Sequence, residues 1–183
     1  MERQEAIRRL SEIKGRNLRE LADVYEVTVF TGRGGTNKGW AGHVLEKYLG
    51  FPINSSQSPN AGSWELKLIS LRYLKSKELT VKEPMQVTQL NPNNVRQTDF
   101  ENSHLLAKLK HVVIGARIWE STQEEKSIFY GVTTFDLLDD LEVYNQIKDD
   151  YNLVKETIRS QGFSTLNSGM GKYIQPKTKG TGH

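Results

Sequence analysis

Residues 63–70 read Ser-Trp-Glu-Leu-Lys-Leu-Ile-Ser, an alternation that fits a strand. Successive side chains of a strand point to opposite faces. Trp64, Leu66 and Leu68 therefore share one face, and Glu65 and Lys67 share the other. A strand with one apolar face needs a partner layer, and the sequence offers one just upstream. Trp40, Ala41, Val44, Leu45, Tyr48 and Leu49 recur at helical spacing, Thr36 or Asn37 is placed to cap the helix, and Gly50 ends it. Downstream, residues 111–119 and 127–134 read as two strands, paired as a hairpin about the charged segment 120–126. The longest helix is expected over 137–161, where Leu137, Leu141, Tyr144, Ile147, Tyr151, Val154 and Ile158 recur at three or four residues and Gly162 follows. Further helices are expected at 2–13, 18–24 and 100–109. Short strands are expected at 85–90 and 172–176, and a loop at 91–94. Residues 27–30 fit a short strand or part of a loop. Helices before, between and after strands indicate one mixed α/β domain over 1–183.

The 183 residues suit about one domain. No apolar run approaches about 18 residues, so no membrane span is expected. The opening Met1-Glu2-Arg3-Gln4-Glu5 has no apolar region, and no secretory signal is expected. The absence of cysteine excludes disulfides, thiolate zinc sites and cysteine nucleophiles, and it suits a reducing cytoplasm. The net charge of +3 hides a pattern. Residues 1–119 carry 18 Lys and Arg against 12 Asp and Glu, residues 120–156 carry 3 against 10, and residues 157–183 carry 4 against none. An acidic block cancels basic faces in the total without cancelling them in space. The block 120–156 is expected to be a solvated outer face, leaving basic surface elsewhere to meet phosphate.

Several stretches carry candidate chemistry. The loop Thr31-Gly32-Arg33-Gly34-Gly35-Thr36-Asn37 precedes a helix, as phosphate-binding loops do. Gly34 and Gly39 have P-loop spacing, but Trp40 stands where the lysine belongs, and Asn37 replaces the third glycine of a dinucleotide fingerprint. Nucleotide binding is therefore not expected, although Arg33 and Lys38 remain available to an anionic partner. Glu65 and Lys67, sharing a strand face, suit metal-dependent phosphodiester hydrolysis: a hard oxygen for Mg²⁺ and a cation for the developing negative charge. A solvated ion pair explains the same two residues. A second carboxylate just upstream would strengthen the pattern, and that position holds Asn60. Glu46 falls off the apolar arc of its helix, so the wheel alone makes it a surface residue. His104 and Lys108 lie one helical turn apart, placed to contact phosphate or simply to face water. No Ser/His/Asp arrangement is recognisable, and the four histidines lie too far apart for a familiar metal site.

Taken in order, these pieces resemble the MutH family of DNA endonucleases, which includes the mismatch-repair nicking enzyme and related type II restriction enzymes that cut GATC. Lys38-Gly39-Trp40-Ala41-Gly42-His43-Val44-Leu45-Glu46 resembles the first helix motif, Trp64-Glu65-Leu66-Lys67 the Glu-Leu-Lys strand, and Glu101-Asn102-Ser103-His104 with Lys108-Leu109-Lys110 a later helix. Residues 171–177 resemble the segment leading into the base-reading loop. The resemblance implies a restriction-endonuclease-like α/β fold, a central mixed β-sheet flanked by α-helices, with double-stranded DNA in a cleft. It implies Mg²⁺ as cofactor, Glu65 and position 60 as metal ligands, Lys67 as the catalytic lysine and Glu46 as a support of the metal site. Lys108 or Lys110 would stand near the scissile phosphate, and Lys177 and Lys179 would lie where bases are read through donors to guanine. The oligomeric state stays open, with a monomer favoured.

The chain departs from the family pattern in three places. Asn60 stands where the family has an aspartate, and a neutral amide is a weaker ligand for a hard cation. Cleavage should be depressed and DNA binding retained. A deliberate substitution and a natural non-catalytic binding module would both leave this residue. The spacing from Asn60 to Glu65 is shorter than usual, so GATC is not fixed as the target. The family continues past the base-reading loop with a further strand, whereas this chain stops at His183, so a truncated C-terminus is expected.

Overall fold

The alternation at 63–70 is realised as the first strand of a mixed sheet. A computed structural model of the chain describes residues 1–32, 35–52, 59 and 61–177. It divides into two compact units, Met1–Val87 with His111–Phe135, and Thr88–Lys110 with Asp136–His183.

The first unit holds the sheet. Its strands are β1 (Glu65–Tyr73), β2 (Leu79–Val81), β3 (Val112–Ile118) and β4 (Phe129–Phe135), in the order β2-β1-β3-β4. β1 and β3 run parallel, from Glu65 opposite Val112 to Leu71 opposite Ile118, and the two outer pairings are antiparallel. A parallel pair needs a long crossover, and residues 82–111 supply it. The expected hairpin is present as β3 and β4. Helices α1 (Arg3–Glu12), α2 (Leu18–Val24) and α3 (Trp40–Leu49) bury Ala6, Leu10, Leu18, Leu21, Trp40, Val44 and Leu45 against Leu66, Val113 and Phe129. Leu68 packs on the same cluster, so Glu65 and Lys67 project from the opposite face of β1. Gly115 allows the close fit: a Cβ there would lie 3.0 Å from both Leu45 Cδ1 and Phe129 Cε2.

Arg117 enters this core as a fully partnered cation. It donates to both Glu124 oxygens at 2.7 and 3.1 Å, to Ser127 Oγ at 3.0 Å and to Ser70 Oγ at 3.1 Å, and its Cζ lies 5.2 Å from the Trp40 ring centroid. Glu124 is thus buried, contrary to the expectation that residues 120–156 form a solvated face. Two local readings also change. The α3 N-cap is Gly39, because Asn37 closes a turn just before it by accepting from the Gly39 amide at 3.2 Å. The strand expected at 85–90 does not form. The outer edge of β1 pairs with the short β2, folded back through a turn in which Lys77 takes φ +68° and the Leu74 amide donates to Glu78 O at 2.8 Å.

The second unit is built around α6 (Leu141–Ser160), opened by a 3-10 turn at Leu137–Asp139 and capped by Asp140 accepting from the Val143 amide at 3.0 Å. The expected loop at 91–94 is the start of helix α4 (Pro92–Gln97), with Asn91 accepting from the Asn93 and Asn94 amides and Pro92 in the first turn. The helix expected at 100–109 splits at Ser103. A 3-10 turn, Phe100–Asn102, precedes α5 (His104–Leu109), whose N-cap Ser103 accepts from the Leu106 amide at 3.1 Å. Val154, Ile158 and Leu166 form a small apolar cluster with Leu90, Val95 and Met170 against it. The strand expected at 172–176 is absent: the amides of Lys172, Tyr173 and Ile174 donate to the Asp150 carboxylate instead of to a neighbouring strand.

Candidate active site

Glu65 is the first residue of β1, and its amide donates to His111 O at 2.8 Å, which sets the start of the strand pairing. The side chain is 1% exposed. A carboxylate buried that far must be compensated, and the residue two positions along the same face does so: Lys67 Nζ lies 2.9 Å from Glu65 Oε1. The lysine keeps 19% of its side-chain surface exposed, so its head reaches water while its partner does not. The pair is therefore not the solvated surface pair that Glu-x-Lys alone would suggest. The turn entering β1 is closed by the Gly62 amide donating to Pro59 O and the Ala61 amide donating to Trp64 O, both at 3.1 Å.

The remaining expected site residues fall as follows. Glu46 is half-buried near the end of α3, and its Oε2 is shielded from solvent, so it is not the surface residue that the wheel indicates. On the same helix His43 is held below the usual imidazole range by burial. Lys38 is exposed just before α3. In the second unit, His104 opens α5 exposed to solvent, Lys108 is buried on that helix and Lys110 is exposed at its end. The helix face shared by His104 and Lys108 is therefore not uniformly solvated. Lys177 is exposed, one residue after the buried Pro176. Arg33, Asn60 and Lys179 lie outside the described residues. The structure thus brings Glu65 and Lys67 together directly.

Mg²⁺ is a hard cation that keeps several waters and is held by one or two carboxylates plus substrate phosphates. Glu65 fits that requirement as a rigidly placed, buried oxygen donor, and Glu46 is a second carboxylate of the same unit. Among the described residues no group of three or more His, Asp or Glu gathers as a metal cage. Sequence reading missed two residues with clear structural roles. Arg117 gave no signal in the strand pattern. Asp150 did, since it lies on the apolar stripe of α6 beside Ile147, Tyr151 and Val154.

The family described as "DNA mismatch repair enzyme MutH" matches residues 49–149, more than half of the chain, a span that contains β1, Glu65 and Lys67. The type II restriction enzyme Sau3AI of Staphylococcus aureus is 23% identical over 147 residues, covering 79% of this chain and 30% of the relative. The chain thus spans about 30% of that relative's length. The mixed sheet with its flanking helices has the restriction-endonuclease-like α/β form. Fold, strand-borne Glu65–Lys67 pair and family match agree, and the chain belongs to the MutH family.

Proposed function

We propose that this chain is a sequence-specific, Mg²⁺-dependent endonuclease of double-stranded DNA, with cleavage suppressed in the chain as it stands by Asn60. The observation that carries the reading is the buried Glu65 carboxylate held 2.9 Å from Lys67 on one strand face, in a chain of the MutH family. Glu65 would hold the metal, with Glu46 supporting the site. Lys67, beside the Glu65 carboxylate, orients the attacking water and stabilises the negative charge that builds on the phosphate. Bound Mg²⁺ supplies Lewis-acid polarisation of the phosphodiester and lowers the pKa of a coordinated water. Position 60 is the second metal ligand, and an amide there leaves one negative charge fewer to hold the cation.

The exposed Lys38, His104, Lys110 and Lys177, together with Lys108 and with Arg33 and Lys179, serve DNA contacts. Contacts to phosphate fix register, and donors near Lys177 and Lys179 read bases. No described helix is long and apolar enough to cross a membrane, and a cytoplasmic setting suits this reading. Asn60 itself favours a second reading, a non-catalytic DNA-binding module on the same fold. One experiment separates them. Asn60→Asp incubated with plasmid and Mg²⁺ yields discrete nicked or cut products under the first reading. Tight, salt-dependent binding with no products on any site supports the second.

A further inference from the structure

Asp150 lies in the middle of α6, is 3% exposed, and has no part in the chemistry proposed above. Three successive backbone amides end on it: Lys172 N at 2.9 Å on Oδ1, and Tyr173 N at 2.7 Å and Ile174 N at 2.9 Å on Oδ2. Gln146 Nε2 adds a fourth donor at 2.9 Å on Oδ1. An ionised carboxylate accepts about four hydrogen bonds, so its capacity is filled. Burial alone would raise this carboxyl, but the three amides and Gln146 outweigh it and hold it below the usual carboxylate range. The chain bends sharply as it meets Asp150. Gly171 takes φ +76°, and a Cβ there would lie 2.1 Å from Ile174 O and 3.1 Å from Asp150 Cγ.

Lys172 and Tyr173 are exposed residues, and water could serve their amides at the surface. Drawing three successive amides onto one buried carboxylate instead fixes the course of the chain there. What is fixed is the backbone that leads to Lys177, which stands exposed three residues beyond the last anchored amide. Donors read bases well only when held in place before the duplex arrives.

We propose that Asp150 is a positioning residue for DNA sequence readout, anchoring residues 172–174 so that Lys177 meets the duplex from a fixed backbone. The proposal rests on the endonuclease reading above. The test uses the full chain with Asp150→Asn and, by an independent route, Gly171→Ala. Each is compared with the parent in hydrogen exchange and in affinity for two duplexes, one selected by the parent from a randomised pool and one of scrambled sequence. Both variants should lose amide protection at 172–174 while α6 keeps its own. The affinity ratio of selected to scrambled duplex should fall about tenfold, and binding to the scrambled duplex should hold within about twofold. If Asp150→Asn also strips protection from α6, Gly171→Ala decides the comparison. A ratio that stays at the parent value while 172–174 exchange freely overturns the positioning role alone. A parent with no preferred duplex overturns the endonuclease reading, and the proposal with it.

Discussion

Around the sheet, Leu45, Leu66, Val113 and Phe129 interlock, and the Arg117–Glu124 pair is sealed inside that apolar frame. Around α6 the apolar cluster is small, and much of the tying is polar. Lys155 pairs with Asp99 at 2.7 Å, Tyr151 Oη donates to Thr98 O at 3.0 Å, Arg159 donates to Arg96 O, and Asp150 gathers the tail amides. Charge is an inclusion in the first unit and a fastening in the second. The difference follows from shape. A sheet offers a continuous apolar face for helices to cover, whereas one long helix with short neighbours buries less and needs directed bonds to hold irregular chain.

The contrast can be broken first at Arg117. Glu124→Ala leaves a buried guanidinium without its carboxylate and should cost about 3–5 kcal/mol in chemical denaturation; a cost near zero would show that water reaches this core. Next, Gly115→Ala drives a methyl against Leu45 and Phe129 and should cost about 1–3 kcal/mol. A smaller effect is confined to low pH. Because the Asp150 carboxyl sits lower in the folded chain than in the unfolded one, its contribution is present above about pH 4 and lost as pH falls through the folded value. The amide signals of Tyr173 and Ile174 should therefore shift below about pH 4. Smallest of all, Glu101→Gln removes the partner of Lys148 at an exposed site and should leave the thermal midpoint unchanged.

The sequence was legible where burial imposes a period. α1, α2, α3, α6 and the existence of β3 and β4 follow from apolar spacing, and so does the opposition of Leu66 to Glu65 and Lys67 on β1, whereas spacing alone does not set the β3–β4 pairing. It was least legible where structure rests on contacts distant in sequence. The alternation at 85–90 has no strand to pair with, and 172–176 spends its amides on Asp150. α4 shows no apolar stripe, and only the Asn91-Pro92 start signal marks it. In the candidate site, the chemistry of Glu65 and Lys67 was readable from spacing, but the depth of Glu65 was not, because burial depends on what covers the strand. Glu46 was misplaced by the wheel for the same reason: an ideal helix says which face is polar, not which face is covered.

In the proposed function Lys67, paired with buried Glu65, acts in the cleavage step that Asn60 suppresses. Single-turnover cleavage by Asn60→Asp, with and without Lys67→Ala, tests this alongside binding to the same duplex. Mg²⁺-dependent products are expected at recurring sites, slowed about 10²- to 10³-fold by Lys67→Ala with duplex affinity little changed. Equal cleavage rates in the two variants, or no products from either, would contradict it.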